Sequence, residues 1–189
     1  LVGLEEDHLG VGLPAELEAH RQLGEGGLAD GPALLVQDAF PVRAADSDGD
    51  GVTDLVEQVG LFDRILVDAP CSGLGALRRN PDARWRVRPE DLPELAKTQR
   101  ALLESAATAL RPGGVLVYST CTVTPEENEA VIRGFMATRA SWRIAPREDA
   151  PESLRGLIGE DGFLRLLPHR DDTDGFFAAR LVRGQPNPK

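Results

Sequence analysis

Apolar residues in this chain fall into short β-branched runs separated by longer stripes at helical spacing. Ile65-Leu66-Val67 lies between Asp63-Arg64 and the turn-forming string Asp68-Ala69-Pro70-Cys71-Ser72-Gly73. A run this short, bounded by turn residues, predicts a buried parallel strand. Gly114-Val115-Leu116-Val117-Tyr118-Ser119-Thr120 has the same build and leads into Cys121-Thr122. Residues 33–37 predict another strand, ending at Asp38, and residues 2–5 one more, ending at Glu5. Between residues 91 and 110, Leu92, Leu95, Ala96, Leu102, Leu103, Ala106 and Leu110 recur every three or four positions, which predicts an amphipathic helix. Arg111-Pro112-Gly113-Gly114 stops it. Shorter helices are expected over residues 14–23 and from a Thr124 cap, with Pro125 next and Glu127 three residues on, to about Arg139. Residues 163–167 and 176–182 predict two closing strands joined across residues 168–175. Strands alternating with helices give an α/β fold with a mostly parallel sheet, finished by an antiparallel hairpin.

A length of 189 residues accommodates one core, hence one domain. The expected domain covers residues 1–183, with a loose polar tail over 184–189. The chain opens without Met and inside a strand-like run, which reads as a fragment whose upstream part is missing. Two cysteines and no membrane-length apolar run predict free thiols in a reducing cytoplasm. A net charge of -10 argues against strong nucleic-acid binding by this piece alone. Residues 78–100 run against that trend, carrying seven basic side chains and four acidic ones. Such a patch suits a phosphate backbone or a solvated loop.

The candidate chemistry sits at strand ends. Open α/β sheets bind ligands beyond the carboxyl ends of their strands. If the strands ending at Asp68 and Thr120 are neighbours, about 4.8 Å apart, Cys71 and Cys121 face one crevice. Glu5 and Asp38 occupy strand ends where an acid can hold a ribose or an adenine amino group, or simply meet solvent. Residues 46–57 fit a calcium-loop template through Asp46, Asp48, Asp50, Asp54 and Glu57, with Gly51 at the turn. Thr53 stands where an apolar anchor belongs, and no partner hand is evident. A plain acidic surface loop is the competing reading, and no metal is expected in the site.

The set Asp68-Ala69-Pro70-Cys71-Ser72-Gly73, Arg78-Arg79-Asn80-Pro81-Asp82 with Trp85, Gln99-Arg100, Arg111-Pro112-Gly113-Gly114, Ser119-Thr120-Cys121-Thr122, Pro125-Glu126-Glu127-Asn128-Glu129 and Asp174-Gly175-Phe176-Phe177 resembles the RsmB/Nop/Sun-type RNA cytosine-C5 methyltransferases. The resemblance spans most of the chain, and the bacterial 16S rRNA members are the nearest in pattern. It implies a Rossmann-like class I methyltransferase sheet, S-adenosyl-L-methionine as cofactor, and RNA as partner. The target would be a single-stranded or flipped cytosine, most simply in 16S rRNA. It implies that Cys121 is the nucleophile and that Cys71 helps to release the product. In DNA C5-methyltransferases the Pro-Cys cysteine attacks instead, so the reverse assignment stays open. Asp68 would steady the target ring near N3 and lie beside the cofactor, while Glu5 and Asp38 would hold ribose and adenine. Arg78, Arg79, Arg84 and Arg86 become phosphate contacts. Relative to typical members, the acidic segment at 46–57 is an insertion. The glycine-rich loop and the central first strand of such a domain would precede Leu1, so weak cofactor binding is expected of this piece alone.

Two other classes compete. A cysteine hydrolase would pair Cys71 or Cys121 with His169, although no nucleophile elbow or oxyanion motif accompanies them. A calcium-dependent interaction module would rest on residues 46–57.

Overall fold

The computed structural model describes residues 62–185, together with the strand backbone of Ala33–Gln37. The expected elements at 2–5 and 14–23, the acids Glu5 and Asp38, and the acidic loop at 46–57 lie outside these residues.

The sheet follows the period-2 pattern of its strands. Strand β1 (Ala33–Gln37) pairs in parallel with β2 (Phe62–Asp68), which pairs in parallel with β3 (Leu110–Thr120). Ile65 and Val67 of β2 and Leu116 and Tyr118 of β3 are fully buried, as the apolar runs predict. The registers place Gln37, Asp68 and Ser119 side by side at one edge. Strand β3 begins earlier than expected: its exposed residues 111–113 bulge, so the pairing skips between Phe62 and Arg64. Gly113 permits the bend with φ +82.

Helix α1 (Ala83–Arg86) and a 3-10 turn (Pro89–Asp91) lead into α2 (Leu92–Ala109), whose first turn takes Pro93 without penalty. It buries Leu102, Leu103, Ala106, Ala107 and Ala109, and with them Gln99, a polar residue on the apolar stripe. Helix α3 starts at Glu129 and ends at Met136, shorter at both ends than the expected helix. The Thr124 cap does not form a capping box, because the Glu127 side chain turns inward to other partners. Strand β4 (Trp142–Ile144), α4 (Glu152–Arg155), β5 (Phe163–Leu166), α5 (Pro168–Asp171) and β6 (Phe176–Arg183) complete the described chain.

Strand β6 runs antiparallel to β3, and both β4 and β5 pair antiparallel with the other side of β6. The parallel half of the sheet therefore gives way to an antiparallel half wider than a hairpin alone. Phe135, Trp142, Phe163 and Phe177 fill the core around these junctions, with Phe135 edge-on to Trp142 at 5.1 Å. Because β6 is reversed, its amino end reaches the sheet edge at which β2 and β3 finish.

Candidate active site

Three chain segments converge at the carboxyl ends of β2 and β3. Ala69 extends the ladder by one bond, donating to the Ser119 carbonyl at 2.9 Å. Pro70, with no N–H to donate, ends it and turns the chain outward. Gly75 then donates to the Cys121 carbonyl at 3.0 Å and accepts from Gly175, just before β6, at 2.8 Å. Close approach, not backbone angle, requires glycine here. A Cβ on Gly75 would lie 2.3 Å from the Gly175 oxygen and 2.8 Å from the Cys121 oxygen.

This stitching brings Cys71 Sγ and Cys121 Sγ to 3.4 Å, with both thiols free. The two sulfurs are not equivalent. Cys121 is exposed and Cys71 half-buried. The hydrogen bond from Cys71 draws the Cys121 thiol down to about 7, against opposing effects of partial burial and of the Asp68 and Glu127 charges. The same hydrogen bond, reinforced by burial and by the Cys121 charge, pushes the Cys71 thiol well above the ordinary thiol range. Charge on the pair therefore resides on the sulfur nearer solvent, and the proton on the sulfur nearer the core. Asp68, their neighbour at the end of β2, accepts a hydrogen bond from Ser119 Oγ at 3.0 Å across the parallel register.

Beneath the cysteines lies a buried polar network. Glu127, 0% exposed, accepts from the Ser72 N–H at 2.8 Å, Ser72 Oγ at 2.5 Å, Gln99 Nε2 at 2.9 Å and Thr124 Oγ1 at 2.7 Å. All four donors are neutral. Gln99 also donates to the Pro70 carbonyl at 2.9 Å, and Ser72 Oγ meets Thr122 Oγ1 at 2.8 Å. Tyr118 donates its hydroxyl to the Glu127 carbonyl, and Thr120 to Asn128 Oδ1. Burial keeps the Tyr118 phenol protonated, far above its usual range. Glu127 was expected only at the start of a helix, and neither Ser72 nor Gln99 was expected to take part in the site. The legible signal was Gln99, a hydrogen-bonding residue in the middle of an apolar stripe.

Residues 39–182 match the family described as 16S rRNA methyltransferase RsmB/F. The chain belongs to this family. A probable ribosomal RNA small subunit methyltransferase B of Synechocystis is 48% identical over 126 residues, 66% of this chain and 28% of that protein. Ribosomal RNA small subunit methyltransferase F of Shigella flexneri is 48% identical over 129 residues, 68% of this chain and 27% of that protein. The solved structure of NSun6 from Pyrococcus horikoshii with SFG superposes with a TM-score of 0.55 at 31% identity, over 71% of this chain and 34% of that one. The match to this chain thus spans little more than a quarter of the length of its curated RsmB/F relatives.

Within the RsmB/F fold, the four arginines singled out in the sequence divide into two pairs. Arg78 and Arg79 both reach Asp174, at 3.5 and 2.8 Å, and so tie the segment after Cys71 to the segment before β6. Arg84 and Arg86 lie on α1. Arg84 stacks on the Trp85 ring at 4.5 Å, and Arg86 reaches Asn80 at 3.4 Å. Trp85 is 76% exposed, which makes this strip both basic and aromatic. His169 is exposed on α5, and no hydrogen bond joins it to either cysteine. The sulfur partner of Cys121 is Cys71, and among the described residues no histidine bonds to either cysteine. Among the described residues no cluster of acids, histidines and cysteines is suited to a metal. Nor is any described helix long and apolar enough to cross a membrane.

Proposed function

We propose that the full protein transfers a methyl group to C5 of a cytosine in RNA, most simply 16S rRNA in the cytoplasm, through a covalent link between Cys121 and C6. The observation that carries this reading is the unequal cysteine pair, with sulfurs 3.4 Å apart, Cys121 exposed and Cys71 half-buried, an arrangement that favours charge on the exposed sulfur. C5 of cytosine is a poor nucleophile. Addition of a thiolate at C6 turns the ring into an enamine-like species that reacts at C5. Asp68, at the ligand-binding edge of the sheet, passes a proton to the ring at N3 as the thiolate adds, and so neutralises the negative charge that builds during attack.

S-adenosylmethionine, when bound, supplies the methyl group. Asp68 would lie beside it: it is a half-buried carboxylate at the end of a parallel strand, where such folds bind their ligands. Glu5 and Asp38 would hold the ribose and adenine.

Release then falls to Cys71. After methylation C5 carries both a proton and the new methyl group. Removing the proton expels Cys121 and restores the aromatic ring. Once Cys121 is bonded to C6 it neither carries charge nor accepts a hydrogen bond. Two of the influences that hold the proton on Cys71 disappear, and only burial remains. The second thiol thus becomes more acidic at the step that needs a base.

Incubation of the full-length protein with S-adenosylmethionine and RNA bearing 5-fluorocytosine blocks that release. Peptide mapping is expected to find the trapped adduct on Cys121. An adduct on Cys71 alone reverses the roles, and no adduct on either rejects the mechanism.

The strip on α1 supplies the RNA contact: phosphates at Arg84 and Arg86, and an unpaired base on Trp85. Replacing Arg84 and Arg86 together by Gln should weaken RNA binding and reduce the slope of log K against log salt by about 1.5, the loss of two phosphate contacts. Replacing Arg78 and Arg79 should instead loosen the segment held by Asp174. Binding titrations at several salt concentrations distinguish the two pairs.

A further inference from the structure

Glu127 occupies the place where the two cysteine-bearing segments meet, and its carboxylate bonds to both. Oε1 accepts from the N–H of Ser72, the residue after Cys71, and from Gln99. Oε2 accepts from Ser72 Oγ and from Thr124 Oγ1, three residues past Cys121. Ser72 Oγ touches Thr122 Oγ1, next to Cys121, and Gln99 fixes the Pro70 carbonyl, just before Cys71. One side chain therefore sets the chain directions into and out of the cysteine pair. A carboxylate in this position is costly, because taking it out of water is unfavourable by several kcal/mol unless hydrogen bonds compensate. Simple packing in this aliphatic and aromatic core calls for no charge at all.

We propose that Glu127 is a positioning residue for methyl transfer, clamping the Cys71 segment against the Cys121 segment so that the Cys71 thiol donates to the Cys121 sulfur. The inference rests on the reading of Cys121 as the nucleophile. It differs from a purely electrostatic role in sign. The Glu127 charge by itself disfavours the Cys121 thiolate, so removing only that charge would make Cys121 more acidic. Losing the clamp does the opposite, because the hydrogen bond from Cys71 is the largest influence on Cys121.

The test is the pH dependence of Cys121 alkylation by iodoacetamide in the full-length protein, without RNA or cofactor, followed by mass spectrometry of the Cys121 peptide. Wild type is compared with Glu127→Gln and with Ser72→Ala, which keeps the carboxylate, and each protein is melted in parallel. In both variants the midpoint is expected to rise by about one unit from near 7, so that alkylation at pH 7 slows about fivefold. With RNA and cofactor, kcat should fall by at least ~10-fold while KM for RNA stays within about twofold. A midpoint that falls in Glu127→Gln, or that stays put in both cooperatively melting variants, overturns the proposal. If Glu127→Gln does not melt cooperatively, Ser72→Ala decides by the same criterion. Absence of a 5-fluorocytosine adduct on wild-type Cys121 would reject the functional reading and leave this thiol titration interpretable on its own.

Discussion

Full-length protein carrying Cys71→Ser is expected to accumulate a covalent complex with ordinary, unfluorinated RNA in the presence of S-adenosylmethionine. Cys121 still attacks and C5 still receives its methyl group, but a serine hydroxyl is too weak an acid to become the base that removes the C5 proton. Loss of a general base typically lowers turnover 10²–10⁴-fold, and about 10³-fold is expected here. A band of retarded mobility on a denaturing gel, sensitive to ribonuclease, reports the trapped species. Cys121→Ala and the double variant should show neither band nor product. The opposite pattern, with a stable complex in Cys121→Ser and none in Cys71→Ser, would make Cys71 the attacking sulfur. The 3.4 Å separation alone is symmetric; the exposure of Cys121 and the lowering of its thiol against the raising of Cys71 give the prediction its sense.

Gly75→Ala should be the most damaging single-methyl change in the described chain. Its Cβ would be forced to 2.3 Å from the Gly175 carbonyl oxygen and 2.7 Å from the carbonyl carbon, and neither backbone atom can swing aside as a side-chain tip can. Relief requires separating the segments that Gly75 joins, breaking its bonds to the Cys121 carbonyl and the Gly175 N–H. Overpacking of this kind costs about 3 kcal/mol. The sulfur pair would widen with the loops, so methyl transfer should drop at least ~100-fold even in the fraction that folds, given the sensitivity of attack geometry. Thermal melting and single-turnover assays check the two effects separately. Gly73→Ala is the informative control. Gly73 has φ +69 but open space around its missing Cβ, so that change should bring a modest backbone penalty of about 1 kcal/mol without a clash.

The elements that sequence periodicity revealed are those whose burial is one-sided and regular. Ile65 and Val67 alternate with less buried neighbours, and α2 presents Leu102, Leu103 and Ala106 on one face, so both were legible. Strand β4 was not, because three residues carry no period and Trp142–Ile144 exist as a strand only by pairing with β6. The later start of α3 has a physical reason. Thr124 and Glu127 have the spacing of a capping box and do meet, hydroxyl to carboxylate. Glu127 is also held by Ser72 and Gln99, which are distant in sequence, and so does not reach back to the Thr124 N–H. The same non-locality explains the site. That both cysteines follow strand ends was visible; that they approach to 3.4 Å depends on Gly75 and Gly175, whose role emerges only when three separated segments meet. That Arg78 and Arg79 both reach Asp174 was likewise invisible, because the resemblance that implies phosphate contacts for them carries no information on a partner almost a hundred residues away.

The reversed direction of β6 has a consequence for how the catalytic machinery comes into being. Of the described strands it is the last to leave the ribosome, yet its amino end supplies Asp174 and Gly175, which brace the loop bearing the first sulfur. A nascent chain that has already made both thiols thus lacks the strut that aligns them, and reactivity toward pyrimidines waits until translation has passed the closing strand.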